Sequence, residues 1–191
     1  MIDFYSAYRK LNDLKSEVSC HYLISREGKI YNLLCPKFKG WHAGISEWKN
    51  VKNLNDYSIG IELENKGHEH GYTNFTNSQY QKLKKLIKFL KFNFFIKDED
   101  IIFHSDIAPN RKKDPGEKFI VKKLGIERFN FHQRKKFSIN RLLKLYGFSQ
   151  NYIKIHKPDC IKAVKRSLNY KTIDSSVSKN FKNKFNNLLF K

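Results

Sequence analysis

The sequence predicts an α/β fold: a mixed central β-sheet flanked by helices, followed by a small C-terminal helical module. Three observations carry this. Residues 57–63 alternate as a half-buried strand does, with Ile59, Ile61 and Leu63 on one face and Ser58, Gly60 and Glu62 on the other. Tyr80, Leu83, Leu86, Ile87 and Leu90 recur at helical spacing with lysines opposite, the pattern of a helix laid on a sheet. Past about Phe131 the composition changes: residues 130–191 hold 15 Lys and Arg against Asp159 and Asp174 alone.

The elements follow in order. Residues 2–14 place Phe4, Tyr8 and Leu11 on one helical face. Residues 18–24 and 29–34 read as two strands joined by Arg26-Glu27-Gly28, a hairpin signal. Residues 35–56 form a long loop carrying Trp41, His42 and Trp48, and long loops in compact domains are often functional. Trp41 and His42 either line a sugar- or peptide-binding cleft or, in the case of Trp41, anchor the loop by packing. His68 and His70 read as a solvated loop. Thr76-Asn77-Ser78-Gln79 is a capping box that opens the amphipathic helix. Ile101, Ile102 and Phe103 read as a short buried strand, and a short helix near residues 119–124 closes the domain. Beyond it, residues 138–148 read as a helix ended by Gly147, with further helical patterns over 159–168 and 174–190.

A chain of 191 residues suits one ordinary domain with an appendage. The net charge of +20 draws wall polymer, lipid headgroup or nucleic acid alike and selects none of them. Abundant Phe, Ile, Asn and Lys point to an AT-rich genome, so part of that charge reflects codon usage. Cys20, Cys35 and Cys160 form no close pair, which argues against a disulfide framework and a thiolate metal site; Cys20 reads as a small buried hydrophobe. No stretch approaches the roughly 20 apolar residues of a membrane span, and the first 19 residues lack the apolar core of a signal peptide. As written, the expected compartment is the cytoplasm, and the envelope or periplasm if an N-terminal segment precedes this chain.

The chemistry gathers in residues 104–116, HSDIAPNRKKDPG. A His and an Asp delivered from one loop can supply two ligands of a zinc ion, which accepts imidazole nitrogen and carboxylate oxygen and keeps a water position open in catalytic sites. Glu62 on the polar face of its strand is either solvated or turned toward a substrate, with Gly60 leaving room for it. A glutamate beside an activated water can take its proton and hand it to a leaving amine.

Trp41-His42-Ala43-Gly44, then SIGIELE, then HSDIAPNRKKDPG resemble the zinc N-acetylmuramoyl-L-alanine amidases of the AmpD and AmiD kind, over about residues 4–124. The resemblance implies a zinc-amidase or peptidoglycan-recognition-protein-like fold over residues 1–128. It implies Zn2+ held by His104 and Asp114, Glu62 as catalytic acid/base and Lys112 as oxyanion stabiliser. Trp41, His42 and Ala108 are the expected substrate contacts. The implied reaction hydrolyses the amide between N-acetylmuramic acid and L-alanine in peptidoglycan or muropeptides, in a bacterial protein expected to be a monomer. Residues 133–191 resemble, weakly, the three-helix peptidoglycan-binding module behind the amidase of AmiD-type enzymes.

One departure stands out. The family's first zinc ligand is a His at the end of an N-terminal apolar strand, whereas VSCHYLI at residues 18–24 matches the strand after it. The amidase domain is therefore expected to be N-terminally truncated, by a mis-set start or by gene decay. His21 is the alternative third ligand, although its match in the family is not one. Two rival readings stay open: a catalytically impaired relative that binds peptidoglycan without cutting it, and a basic helical tail that binds nucleic acid, for which no specific partner is expected.

Overall fold

The computed structural model describes residues 4–131 and 137–190. In chain order the elements are α1 (Phe4–Asn12), β1 (Tyr22–Ile24), β2 (Ile30–Asn32), β3 (Glu47–Trp48), β4 (Val51–Lys52), β5 (Ile61–Leu63), α2 (Asn77–Phe94), α3 (His104–Ile107), α4 (Ile139–Tyr146), α5 (Gln150–Ser167) and α6 (Lys179–Leu189). They fold as two compact units, Met1–Ile45 with Asn53–Phe95, and Ser46–Lys52 with Ile96–Lys191. Residues 2, 3 and 133–136, where the expected first helix and C-terminal module begin, lie outside the described residues.

The first unit is built on a mixed sheet of order β2-β1-β5, with β1 antiparallel to β2 and parallel to β5. β1 is buried along its length because it is central and covered by helices. Ala7 and Leu11 of α1 pack on Cys20 and Leu23, with Phe4 against Tyr31. α2 presents Tyr80, Leu83, Leu86, Ile87 and Leu90 inward, as its spacing predicts. Its first turn is fixed by the expected capping box: Thr76 Oγ1 accepts from Gln79 N–H while Gln79 Oε1 accepts from Thr76 N–H. The same Thr76 hydroxyl donates to the Arg26 carbonyl, tying the helix start to the β1–β2 hairpin.

The second unit is mostly helical. α4 packs on α5 and on α6, burying Leu142, Leu143, Phe181 and Phe185 completely. Gly147 ends α4 at φ 141, and a Cβ there would lie 2.6 Å from the Trp48 ring, so glycine is required twice over. Trp48 comes from the β3–β4 hairpin, which leaves the long 35–56 loop to join this unit. Its indole stands edge-on to Tyr146 and Phe148 at 5.6 and 6.0 Å, and Lys49 N–H donates to the Gly147 carbonyl.

Three expectations need correction. Residues 101–103 are half-buried extended chain without strand pairing, and His104 opens the short helix α3 instead of ending a strand. Residues 57–63 yield a strand only at Ile61–Leu63, half-buried on both faces, because Leu54–Asp56 forms a 3-10 turn and Gly60 is spent on other contacts. The helix expected from residue 159 begins at Gln150, capped by Ser149, and carries Pro158 inside it. Proline removes a helical hydrogen bond and crowds the preceding turn. The helix answers with a kink at His156, φ −122.

Candidate active site

The expected site residues are divided between the two units. In the first, His21 is fully buried and both ring nitrogens are committed. Nδ1 accepts from Gly60 N–H at 2.9 Å and Nε2 lies 2.9 Å from the Phe38 carbonyl. A carbonyl only accepts, so the proton sits on Nε2 and the ring is the neutral tautomer. The backbone closes the same joint, with His21 and Tyr22 N–H donating to the Gly60 carbonyl. Gly60 does not leave room for a substrate, as its position in the strand suggested. A Cβ there would sit 2.3 Å from the His42 ring, so the glycine admits that imidazole against the backbone.

His42 itself is half-buried, edge-on to His21 at 5.3 Å. Its N–H and that of Ala43 both donate to Asn55 Oδ1, which fixes the WHAG segment. Trp41 is 56% exposed, its ring beneath the Lys39 ammonium at 4.8 Å. Of the two tryptophans in the long loop, Trp48 therefore anchors by packing and Trp41 presents its face outward. Glu62 lies at the centre of β5, paired with Leu23 and half-buried. Close by, burial first and the Glu62 charge second push the Cys20 thiol far up, so Cys20 stays protonated, as a small buried side chain. Glu64, just past β5, accepts from Arg26 N–H through its Oε2.

In the second unit the His104–Asp114 pairing is direct. His104 Nδ1 and Asp114 Oδ2 lie 2.9 Å apart, with side chains 15% and 55% exposed. Burial raises the Asp114 carboxyl, but the hydrogen bond and charge of His104, its own backbone and Lys112 outweigh it and hold the group below the usual carboxylate value. Asp114 thus stays ionised at neutral pH. Lys112, half-buried, donates its N–H to the Ala108 carbonyl, and Ala108 is buried in the turn.

What holds this loop was not read from the sequence. Asp106, two residues after His104, is fully buried. Its Oδ2 accepts from Phe103 N–H and from Arg128 Nη2, and its Oδ1 accepts from the Tyr146 hydroxyl at 2.7 Å. Arg128 stacks on Phe103 and Phe129 at 4.5 and 5.2 Å. Farther along, Tyr152 OH donates to Asn110 Oδ1, and Asn169 Nδ2 donates to the carbonyls of Glu117 and Phe119. The C-terminal helices therefore brace the loop at two places, through Tyr146 and Tyr152, and Asn169, just past α5, holds the chain that follows it. The only sequence signal was Asp106 itself, a carboxylate between the apolar Ile101-Ile102-Phe103 and Ile107-Ala108-Pro109 segments.

The donors fit a divalent metal in part. An imidazole and a carboxylate side by side, 2.9 Å apart, are of the donor types a zinc ion takes. Among the described residues of either unit, no three His, Cys, Asp or Glu side chains gather closely enough to hold one.

The family described as N-acetylmuramoyl-L-alanine amidase matches residues 3–117. The chain is 40% identical over 129 residues to the N-acetylmuramoyl-L-alanine amidase AmiD of Escherichia coli (strain K12), covering 61% of this chain and 46% of that protein. It is 38% identical over 103 residues to the 1,6-anhydro-N-acetylmuramyl-L-alanine amidase AmpD of Haemophilus influenzae, covering 53% and 54%. The chain thus spans about half the length of the curated relatives it matches. Among solved structures, Escherichia coli AmiD in complex with anhydro-N-acetylmuramic acid-L-Ala-D-gamma-Glu-L-Lys superposes with TM-score 0.80 at 29% identity, over 98% of this chain and 84% of that one. AmpDh3 of Pseudomonas aeruginosa with anhydromuramic pentapeptide does so with TM-score 0.80 at 25% identity, over 98% and 86%. The fold is that of these amidases, mixed sheet and flanking helices included, and the family match spans WHAG, SIGIELE and HSDIAPNRKKDPG. The chain belongs to the N-acetylmuramoyl-L-alanine amidase family.

Proposed function

We propose that this chain hydrolyses the amide between the lactyl group of N-acetylmuramic acid and L-alanine in peptidoglycan fragments, with zinc held in part by His104 and Asp114. The observation that carries the reading is the His104–Asp114 pair, a nitrogen and an ionised oxygen 2.9 Å apart on the loop that bears the family motif. Relatives bound to anhydromuramic peptides support the substrate class. When bound, zinc would polarise the scissile carbonyl and acidify a water. Glu62 takes the proton of the attacking water and returns it to the alanine nitrogen, which must leave as an amine. The Lys112 ammonium stands against the oxyanion, a contribution on the order of 3 kcal/mol for one such donor. Asp106, held by Arg128 and Tyr146, fixes the backbone from which His104 projects. Trp41, His42 and Ala108 are assigned to substrate contact, and residues 133–191 to a degenerate peptidoglycan-binding module. The setting is bacterial wall turnover; no helix among the described residues is long and apolar enough to cross a membrane.

A second reading is a relative that binds wall fragments without cutting them, favoured by the lack of a three-ligand cluster among the described residues of either unit. Glu62→Gln separates the two. A muramyl peptide incubated with the zinc-loaded chain should give a free alanine amino terminus, detected by mass spectrometry. Glu62→Gln should lower that rate by about 10²–10⁴ with melting unchanged. Near-normal cleavage by Glu62→Gln sinks the acid/base assignment. Binding without cleavage by the zinc-loaded wild type supports the second reading.

A further inference from the structure

We propose that the outer face of α2 is a docking surface for an anionic lipid bilayer, a property separate from the amidase reading. α2 buries one stripe and leaves the opposite one in solvent. On that outer stripe Phe89 and Phe92 are 55% and 82% exposed, and Phe95, just past the helix end, is 90% exposed. Phe89 and Phe92, three positions apart on the helix, are neighbours, and Phe95 adds a third exposed ring just past the helix end. Five lysines, Lys82, Lys84, Lys85, Lys88 and Lys91, share the helix with them, and α2 contains no Asp or Glu. Phe95 adds an oddity. It caps the helix in the left-handed region at φ 54, where glycine is the usual residue and a bulky aromatic is an outlier. That backbone carries the ring into solvent beyond the helix end.

The combination selects the occupant. Contiguous exposed apolar surface marks an interaction site. Duplex phosphates would engage the lysines and leave three phenyl rings in water. A bilayer interface accepts both: the rings enter the headgroup–acyl boundary while the ammonium groups meet anionic headgroups, each lysine adding on the order of 1 kcal/mol. The helix lies flat on the surface in this arrangement, consistent with its many lysines and modest length.

The test uses the full chain in flotation with phosphatidylglycerol-containing vesicles, beside phosphatidylcholine vesicles and duplex DNA. A chain with net charge +20 adsorbs to any anionic surface, so the phenyl rings are the discriminating variable. Replacing Phe89, Phe92 and Phe95 together by Ser keeps every lysine and touches only exposed positions. It should reduce partitioning into the anionic vesicles at least about tenfold, with circular dichroism unchanged. Phe92→Trp should show a blue-shifted emission on anionic vesicles and quenching by brominated acyl chains. Equal partitioning of the wild type and the triple Ser variant, or an indole at position 92 that stays in water, overturns the proposal. So does a chain that ignores vesicles and binds duplex DNA.

Discussion

His21 and His104 each adjoin an apolar run, and their surroundings treat them in opposite ways. His21 is sealed in the sheet unit with both ring nitrogens spent on backbone groups. His104 lies in the helical unit, partly exposed, with Nδ1 against a carboxylate that is itself more accessible, 15% and 55%. Giving a lone pair to a metal would cost His21 a joint between β1 and Gly60. His104 Nδ1 shares a proton with Asp114, and metal binding releases such protons. Availability for chemistry is thus decided by what the ring already holds. A similar division separates Asp106 from Asp114: the first is buried among three donors, the second stays near solvent beside His104 and Lys112.

The comparison can be broken at the buried side first. Arg128→Met removes the buried cation facing Asp106 and leaves a buried carboxylate without it, which costs about 3–5 kcal/mol. Urea unfolding should register that loss; a change below about 1 kcal/mol would mean that the pair does not hold the loop. Next comes the accessible side. Lys112→Ala should reduce turnover by about 10² while leaving stability and metal content unchanged. A fall in metal content equal to the fall in rate would make Lys112 a structural support for the loop. The smallest effect belongs to the sheet joint. Gly60→Ala drives a methyl into the His42 ring and should cost about 1–3 kcal/mol. Unchanged stability there would show that the 42–43 segment yields freely and that the contact fixes nothing.

The sequence carried the periodic elements well because their signals are local. The inward face of α2, its capping box and the Gly147 stop all stand where spacing put them. The motifs that carry the family resemblance were equally local. What escaped was non-local. Nothing beside Asp106 announces Arg128 or Tyr146, which lie 22 and 40 residues away. Trp48 and Trp41 look alike in a loop, and only the cleft beside Gly147 makes one of them an anchor. The strand expected at 101–103 failed because a short apolar run is ambiguous until a neighbour pairs with it. Gly60 was read as space for a ligand because a missing side chain does not say what fills the gap.

Zinc uptake by the folded chain tests the central claim most directly, measured by isothermal titration on the wild type, His104→Ala, Asp114→Ala and His21→Gln, each checked for folding by circular dichroism. Binding should vanish in His104→Ala and Asp114→Ala and persist in folded His21→Gln. Zinc retained without His104, or lost only when His21 is replaced, would contradict the assignment and make the buried histidine the ligand.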